Sequence, residues 1–195
     1  MPILGIMASQ ISGHLVPPYD GPYGAFDSLA TVTLSTSTAS ITFAGIPSGY
    51  KHLQIRFMAT TVRPTYGIDG LYINLNSDFA ANYTLHNING NGAVANSGGG
   101  GGQTAAYMDF VLGTTVANYP GLGIIDILDY ADINKNKVLR ALGGCDNNGL
   151  IAGYPGRINY LSSAWLNTAA ITSLTFTPVN NNFSQYSSFA LYGVK

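Results

Sequence analysis

From Asp27 to Lys195 the apolar side chains recur mostly at every second position. Leu53, Ile55, Phe57 and Ala59 alternate with His52, Gln54, Arg56 and Met58. Leu71, Ile73 and Leu75 repeat the pattern, and so do Met108, Phe110 and Leu112. A period of two places alternate residues on opposite faces and predicts half-buried strands. The longest apolar run is Ile124, Ile125, Ile127, Leu128 and Tyr130. A polar loop from Asn134 to Lys137 and a second run, Val138, Leu139, Ala141 and Leu142, follow it. Two such runs joined by Asn-rich turn chemistry predict a central antiparallel hairpin. Leu29 to Leu34, followed by Ile41 and Phe43, predicts another hairpin across Ser35–Thr38. Ile158 to Leu166, Ala170 to Thr177 and Phe189 to Tyr192 add later strands. The expected fold is all-β: a single antiparallel, jelly-roll-like β-sandwich of about nine strands.

Two stretches depart from this pattern. Residues 1–26 form the first, an extended N-terminal arm preceding a sandwich domain of residues 27–195. Ile3, Leu4, Ile6, Met7, Ile11 and Leu15 make it apolar, and no charged side chain precedes Asp20. Pro17-Pro18 and Gly21-Pro22 keep it irregular. An apolar arm without charge is unfavourable in water, so those six residues are expected either to fold back on their own domain or, as the favoured reading, to dock on another subunit. No Lys or Arg precedes Lys51, so the basic start of a secretory signal is not expected. The second stretch, Asn87 to Gly102, holds five consecutive glycines from Gly98. It is expected to be a poorly ordered loop, having little to bury.

Composition narrows the class. Hydrophobic residues make up 46% of the 195 positions, enough for a full core, while charged residues make up only 9%. The usual charged share is about a quarter, so neutral Gly, Ser, Thr and Asn must solvate the surface. The net charge is −1 with no basic run. Nucleic acid is therefore not an expected partner, since phosphate binding needs clustered cations. No apolar run approaches the roughly 20 residues of a membrane span, and membrane insertion is not expected. Cys145 stands alone, which rules out an intrachain disulfide.

Candidate chemistry is sparse, and no catalytic, metal or cofactor site is expected. Neither His14, His52 nor His86 has a zinc-like partner nearby in sequence. Cys145, after two glycines, is expected to be a small buried or turn residue rather than a nucleophile, which needs a positioned base and an orienting group. No Gly-x-Ser-x-Gly occurs. The chain has no glutamate, so a glycosidase pair would need two aspartates. Strand alternation points Asp126 away from Asp129, and Asp129 and Asp132 are better read as organisers of the hairpin loop. Asp132–Asn136 resembles the start of a calcium loop. Lys137 replaces the sixth-position glycine, however, and Gly143 the twelfth-position glutamate. The tyrosines are the remaining binding chemistry, because sugar rings stack on aromatic faces amid neutral polar groups. Tyr66, Tyr107, Tyr119 and Tyr154 lie in or near Gly- and Asn-rich segments and are the candidate glycan contacts.

Several stretches carry a resemblance. They are DSLATV from Asp27, YKHLQIR from Tyr50, ILDY from Ile127 with NKNK from Asn134, WLNTAAITS from Trp165, and FSQYSSFALYG from Phe183. Together they resemble small virion structural proteins of tailed bacteriophages and related prophages, of the tail fibre, head spike or decoration type. The resemblance implies a virion structural role and supplies no catalytic residues. Within that setting the neutral polar loops, the many tyrosines and the apolar arm favour an exterior module of a tail fibre, tail tip or head spike that contacts host-surface glycan, and no enzymatic role is expected. The alternative is a capsid decoration or cement protein without recognition; a glycan-degrading enzyme ranks below both. By analogy with phage surface modules, a homotrimer is expected. Such a protein would be made in the host bacterial cytoplasm and sit on the virion surface, held to other virion proteins by its arm.

Overall fold

The computed structural model describes residues 25–116, 119–146 and 156–195. These residues contain no helix and form twelve strands. The first six are β1 (Phe26–Thr33), β2 (Ile41–Ala44), β3 (His52–Thr61), β4 (Ile68–Leu75), β5 (Tyr83–Gly90) and β6 (Ala95–Gln103). The others are β7 (Ala106–Thr114), β8 (Gly121–Leu128), β9 (Lys137–Cys145), β10 (Arg157–Trp165), β11 (Ser173–Pro178) and β12 (Ser188–Val194). All belong to one hydrogen-bonded sheet, in the order β2-β11-β4-β7-β3-β8-β9-β10-β5-β6. β12 pairs with β3 as well, and β1 with β12.

Every pairing is antiparallel except one. β3 and β7 run parallel and share only Thr60↔Gly113 and Thr61↔Thr114. The fold is therefore all-β as expected, but the sheet is mixed rather than purely antiparallel. At that short parallel joint the sheet folds over. β7 comes to lie against β9 and β10, with which it has no ladder.

The alternation seen in the sequence becomes the two faces of the sheet. Leu53, Ile55, Phe57 and Ala59 of β3 point inward, as do Ile125 and Ile127 of β8 and Leu174 and Phe176 of β11. Phe189 of β12 sits at the centre of this core. Its ring lies 5.4 Å from Phe57, 5.1 Å from Phe176 and 5.3 Å from Phe183. Those partners come from both arms of the folded sheet, so one cluster clamps the arms together.

Three sequence expectations are corrected. The described residues form twelve strands, not about nine, and two of the added ones are the strand pair from Tyr83 to Gln103. The glycine run lies in β6 and pairs with β5. Ladder bonds come from the backbone, so a strand can form without side chains when a partner supplies register. Leu29–Phe43 is not a hairpin: β1 pairs with β12 and β2 with β11. The chain between them is held by reciprocal backbone bonds between Thr38 and Phe183, which hand β2 to the other arm. The sheet as a whole is mixed, for the reason given above.

The β8–β9 hairpin forms, with Leu128 opposite Val138 at its end. Its loop is organised by charge. Lys135 and Lys51 hold the Asp129 carboxylate at 2.9 and 3.2 Å. Lys137 turns inward instead, is fully buried, and donates to the carbonyls of Asp132, Lys135 and Thr168.

Candidate functional site

β3, β8, β9, β10, β5 and β6 lie side by side, so their outward residues fall into rows across the sheet. One row reads Met58, Leu122, Gly144, Ile158. The next reads Arg56, Ile124, Leu142, Tyr160, Ile88, Ser97. The third reads Gln54, Asp126, Arg140, Ser162, His86, Gly99.

The first two rows are largely apolar, yet they face outward. Met58, Leu122, Ile124, Leu142, Ile158, Tyr160 and Ile88 are each between 43% and 65% exposed. Half-exposed side chains of this size show roughly 100 Å² each, which puts the field on the order of 700 Å². That exceeds the ~300–600 Å² of the largest patch on a typical monomer.

At the β6 edge the field gives way to a shallow groove of about 560 Å³. Tyr160 and Ile88 form its apolar side, and His86, Ser97 and Ser162 its polar rim. The floor is the bare backbone of Gly98 and Gly99. Glycine is needed there. A Cβ on Gly99 would stand 2.6 Å from His86 Cδ2, and one on Gly98 would stand 2.9 Å from Asn87 Oδ1. The β5 side chains thus lie over β6, which is possible only while β6 carries none at those positions.

Charge on this face is arranged in a chain at one end and left free beside the groove. The Arg56 guanidinium lies 5.3 Å from the rings of both Phe26 and Tyr192, a paired cation–π contact. Its Nε donates to Gln54 Oε1, and Gln54 Nε2 donates to Asp126 Oδ1, each at 2.9 Å. Arg140 stands between Asp126 and Ser162 in register. It is exposed and forms no ion pair or hydrogen bond among the described residues.

The tyrosines expected to contact glycan do not gather at this groove. Tyr66 lies under Arg63, whose guanidinium carbon is 3.9 Å from the ring centroid. Tyr107 packs on Tyr72 at 5.3 Å and donates its hydroxyl to Asp109 at 2.5 Å. Burial first, and then Asp109, push its phenol well above the usual range. Tyr119 is exposed where the chain enters β8. Tyr154 lies outside the described residues, and so do the arm positions Ile3, Leu4, Ile6, Met7, Ile11 and Leu15. Tyr160 is the aromatic residue at the groove. Its signal was its outward phase in β10, readable only once Ile88 and Leu142 were known to flank it.

The nucleophile and acid candidates are placed in other roles. Cys145 is buried, and burial pushes its thiol up to about 11. Lys135 and Lys51 hold the Asp129 carboxyl below its usual range, and the Asn134 amide does the same for Asp132. His52 accepts the Asp129 amide at 3.1 Å. Asp69 is buried, and burial raises its carboxyl despite bonds from Asn180, the Gly70 amide and Thr61. Among the described residues no three or more His, Cys, Asp or Glu side chains are grouped to hold a metal ion.

No protein-family model and no curated protein matches the chain. Solved structures offer loose likenesses. One is a legume lectin-like domain from Entamoeba histolytica, at 10% identity and a TM-score of 0.24, covering 90% of this chain and 88% of that one. Another is the CBM2 module of an evolved Dit of Lactobacillus casei BL23 phage J-1. It has 10% identity and a TM-score of 0.21, covering 89% of this chain and 81% of that one. Superpositions this poor assign the chain to neither family.

Proposed function

We propose that this chain is an exterior structural module of a bacteriophage virion, in a tail fibre, tail tip or head spike, that contacts host-surface glycan. The observation that carries this is the division of one sheet face into two chemistries. Met58, Leu122, Ile124, Leu142 and Ile158 form an aliphatic field suited to another protein surface. The groove beside it combines an exposed tyrosine with neutral hydrogen-bonding groups, the combination that suits a sugar ring. The resemblance of the 27–195 region to phage virion proteins supports the setting. The role is binding and assembly without catalysis, in a homotrimer on the particle surface, with the N-terminal arm joining it to other virion proteins. The folded-over sheet is read as a jelly-roll-like sandwich, supported by β7 lying against β9 and β10.

A second reading, a capsid decoration or cement protein, is favoured by the size of the aliphatic field alone. Immunogold labelling of particles separates the two. Label confined to the tail tip or to spikes is the expected result. Label across the whole capsid lattice would establish the cement reading instead, and particles without label would remove the virion role. Binding of the purified chain to host cells, abolished by stripping the surface polysaccharide, is the companion result expected of a glycan contact.

A further inference from the structure

Arg140 bears on the groove in a way that the glycan reading leaves unused. Its register partner on β10 is Ser162, which lines the groove, and His86 stands directly beyond Ser162 on β5. Directly opposite residues on paired strands have Cβ atoms about 4.5–5.5 Å apart. A long arginine side chain at that position is within reach of the groove rim, although Arg140 is not itself among the lining residues. The carboxylate on its other side, Asp126, already accepts the Gln54 amide at 2.9 Å and lies beyond ion-pair distance of Arg140. None of the residues lining the groove is an acid. The groove thus has an unengaged arginine one strand from its lining and nothing in that lining that repels an anion.

Resting on the glycan reading, we infer that the groove takes a sugar ring bearing a carboxylate, as uronic and sialic acids do, and that Arg140 binds that carboxylate. The apolar face of the ring would lie on Tyr160 and Ile88. Its hydroxyls would meet Ser162, His86 and Ser97. A planar guanidinium fits a carboxylate through two parallel N–H donors, which gives orientation as well as attraction. Burial of one ring on β10 and β5 leaves the glycine floor for the next sugar, because β6 carries no side chain at Gly98 to Gly102. The volume of about 560 Å³ falls within the usual range for a small-molecule site.

The test uses the full chain and a matched pair of probes: a glucuronate-containing oligosaccharide and the same oligosaccharide with its carboxyl groups reduced to alcohols. Titration calorimetry would be run on the wild type, Arg140→Gln, Arg140→Lys and Tyr160→Ala. The wild type should bind the carboxylated probe about tenfold or more tightly than the reduced one, the order expected for a charge-assisted pair. Arg140→Gln should bring the carboxylated probe down to the affinity of the reduced one and leave the reduced one unchanged. Arg140→Lys should fall between, keeping charge without the fork. Tyr160→Ala should weaken both probes. Equal wild-type affinities for the two probes would overturn the inference while leaving the glycan reading standing. An Arg140→Gln protein that kept its preference would do the same. No binding of either probe to the wild type would overturn both. Arg140 is exposed, so an unchanged unfolding midpoint is the expected control for each of its variants.

Discussion

Lys137 and Thr168 lie 31 positions apart, and the ammonium of the first donates to the carbonyl of the second at 2.9 Å. The same nitrogen also donates to the carbonyls of Asp132 and Lys135, at 2.6 and 2.7 Å. One buried side chain therefore ties the β8–β9 loop to the segment between β10 and β11. Burial lowers the proton affinity of Lys137, and the three carbonyls offset that cost. Lys137→Met should keep the packing volume and leave the three carbonyls without this donor. The expected loss is about 2–4 kcal/mol. Urea unfolding followed by tryptophan fluorescence checks it, with a midpoint lowered by roughly 1–2 M at the usual slope. An unchanged midpoint would mean that water replaces the ammonium without cost.

Phe189 is expected to be the most sensitive core position. Phe189→Ala removes a ring shared by Phe57, Phe176 and Phe183 and leaves a cavity between the two arms of the sheet. A loss of about 3–5 kcal/mol follows from the size of the deletion. Phe189→Leu should cost less than half of that, and comparing the two in one unfolding series separates cavity from chemistry.

The strand phases were legible in the sequence, and so was the β8–β9 pairing, while the neighbours of β1 and β2 were not. β3 shows why the first holds: its alternation of Leu53, Ile55 and Phe57 with polar partners fixes which face is buried, and the buried face is the predicted one. β1 shows why the second fails. Alternation says which face a strand buries, never which strand it pairs with, and β1 found β12 at the far end of the chain. β6 was lost for a different reason. Its information lies in the backbone, and glycine carries no periodic signal. The site was hidden by the same ambiguity. Ile124 and Ile125 sit adjacent in an apolar run, which reads as a strand buried on both faces. Only the outer neighbours show that Ile124 is left exposed.

Asp129 should make the hairpin loop acid-sensitive. Lys135 and Lys51 depress its folded-state pKa below the ordinary 3.8, so its contribution is present above that value and lost as the pH falls through the depressed one. Asp129 also has a φ of 48°, a conformation that asparagine tolerates well. Asp129→Asn should therefore fold. It should also lose less stability than the wild type between pH 6 and pH 2.5 in urea melts. Parallel loss in both proteins would show that other carboxylates set the acid limit.

Gly99→Ala tests the groove floor separately from the charge. The added methyl would stand 2.6 Å from the His86 ring and 3.1 Å from the Leu85 carbonyl. The imidazole is the part free to move, so it should swing off β6 and into the groove. Glycan affinity should fall at least severalfold, with unfolding free energy changed by no more than about 1 kcal/mol. Full affinity in the variant would show that ligand does not touch the β5–β6 edge.

The aliphatic field should govern assembly. Ile124 and Leu142 face one another across β8 and β9 and are about half exposed. Substituting Ile124→Lys together with Leu142→Glu places opposite charges directly across the pair, so the sheet itself is not weakened by like-charge repulsion. In a partner interface the same two charges would be buried away from water, at a cost of several kcal/mol. Analytical ultracentrifugation should show a self-associating wild type and a monomeric double variant with an unchanged unfolding midpoint. Particles grown with the variant supplied in place of the wild type should carry little of it. A variant that still associates and still enters particles would show that this face stays in solvent, leaving the N-terminal arm as the attachment.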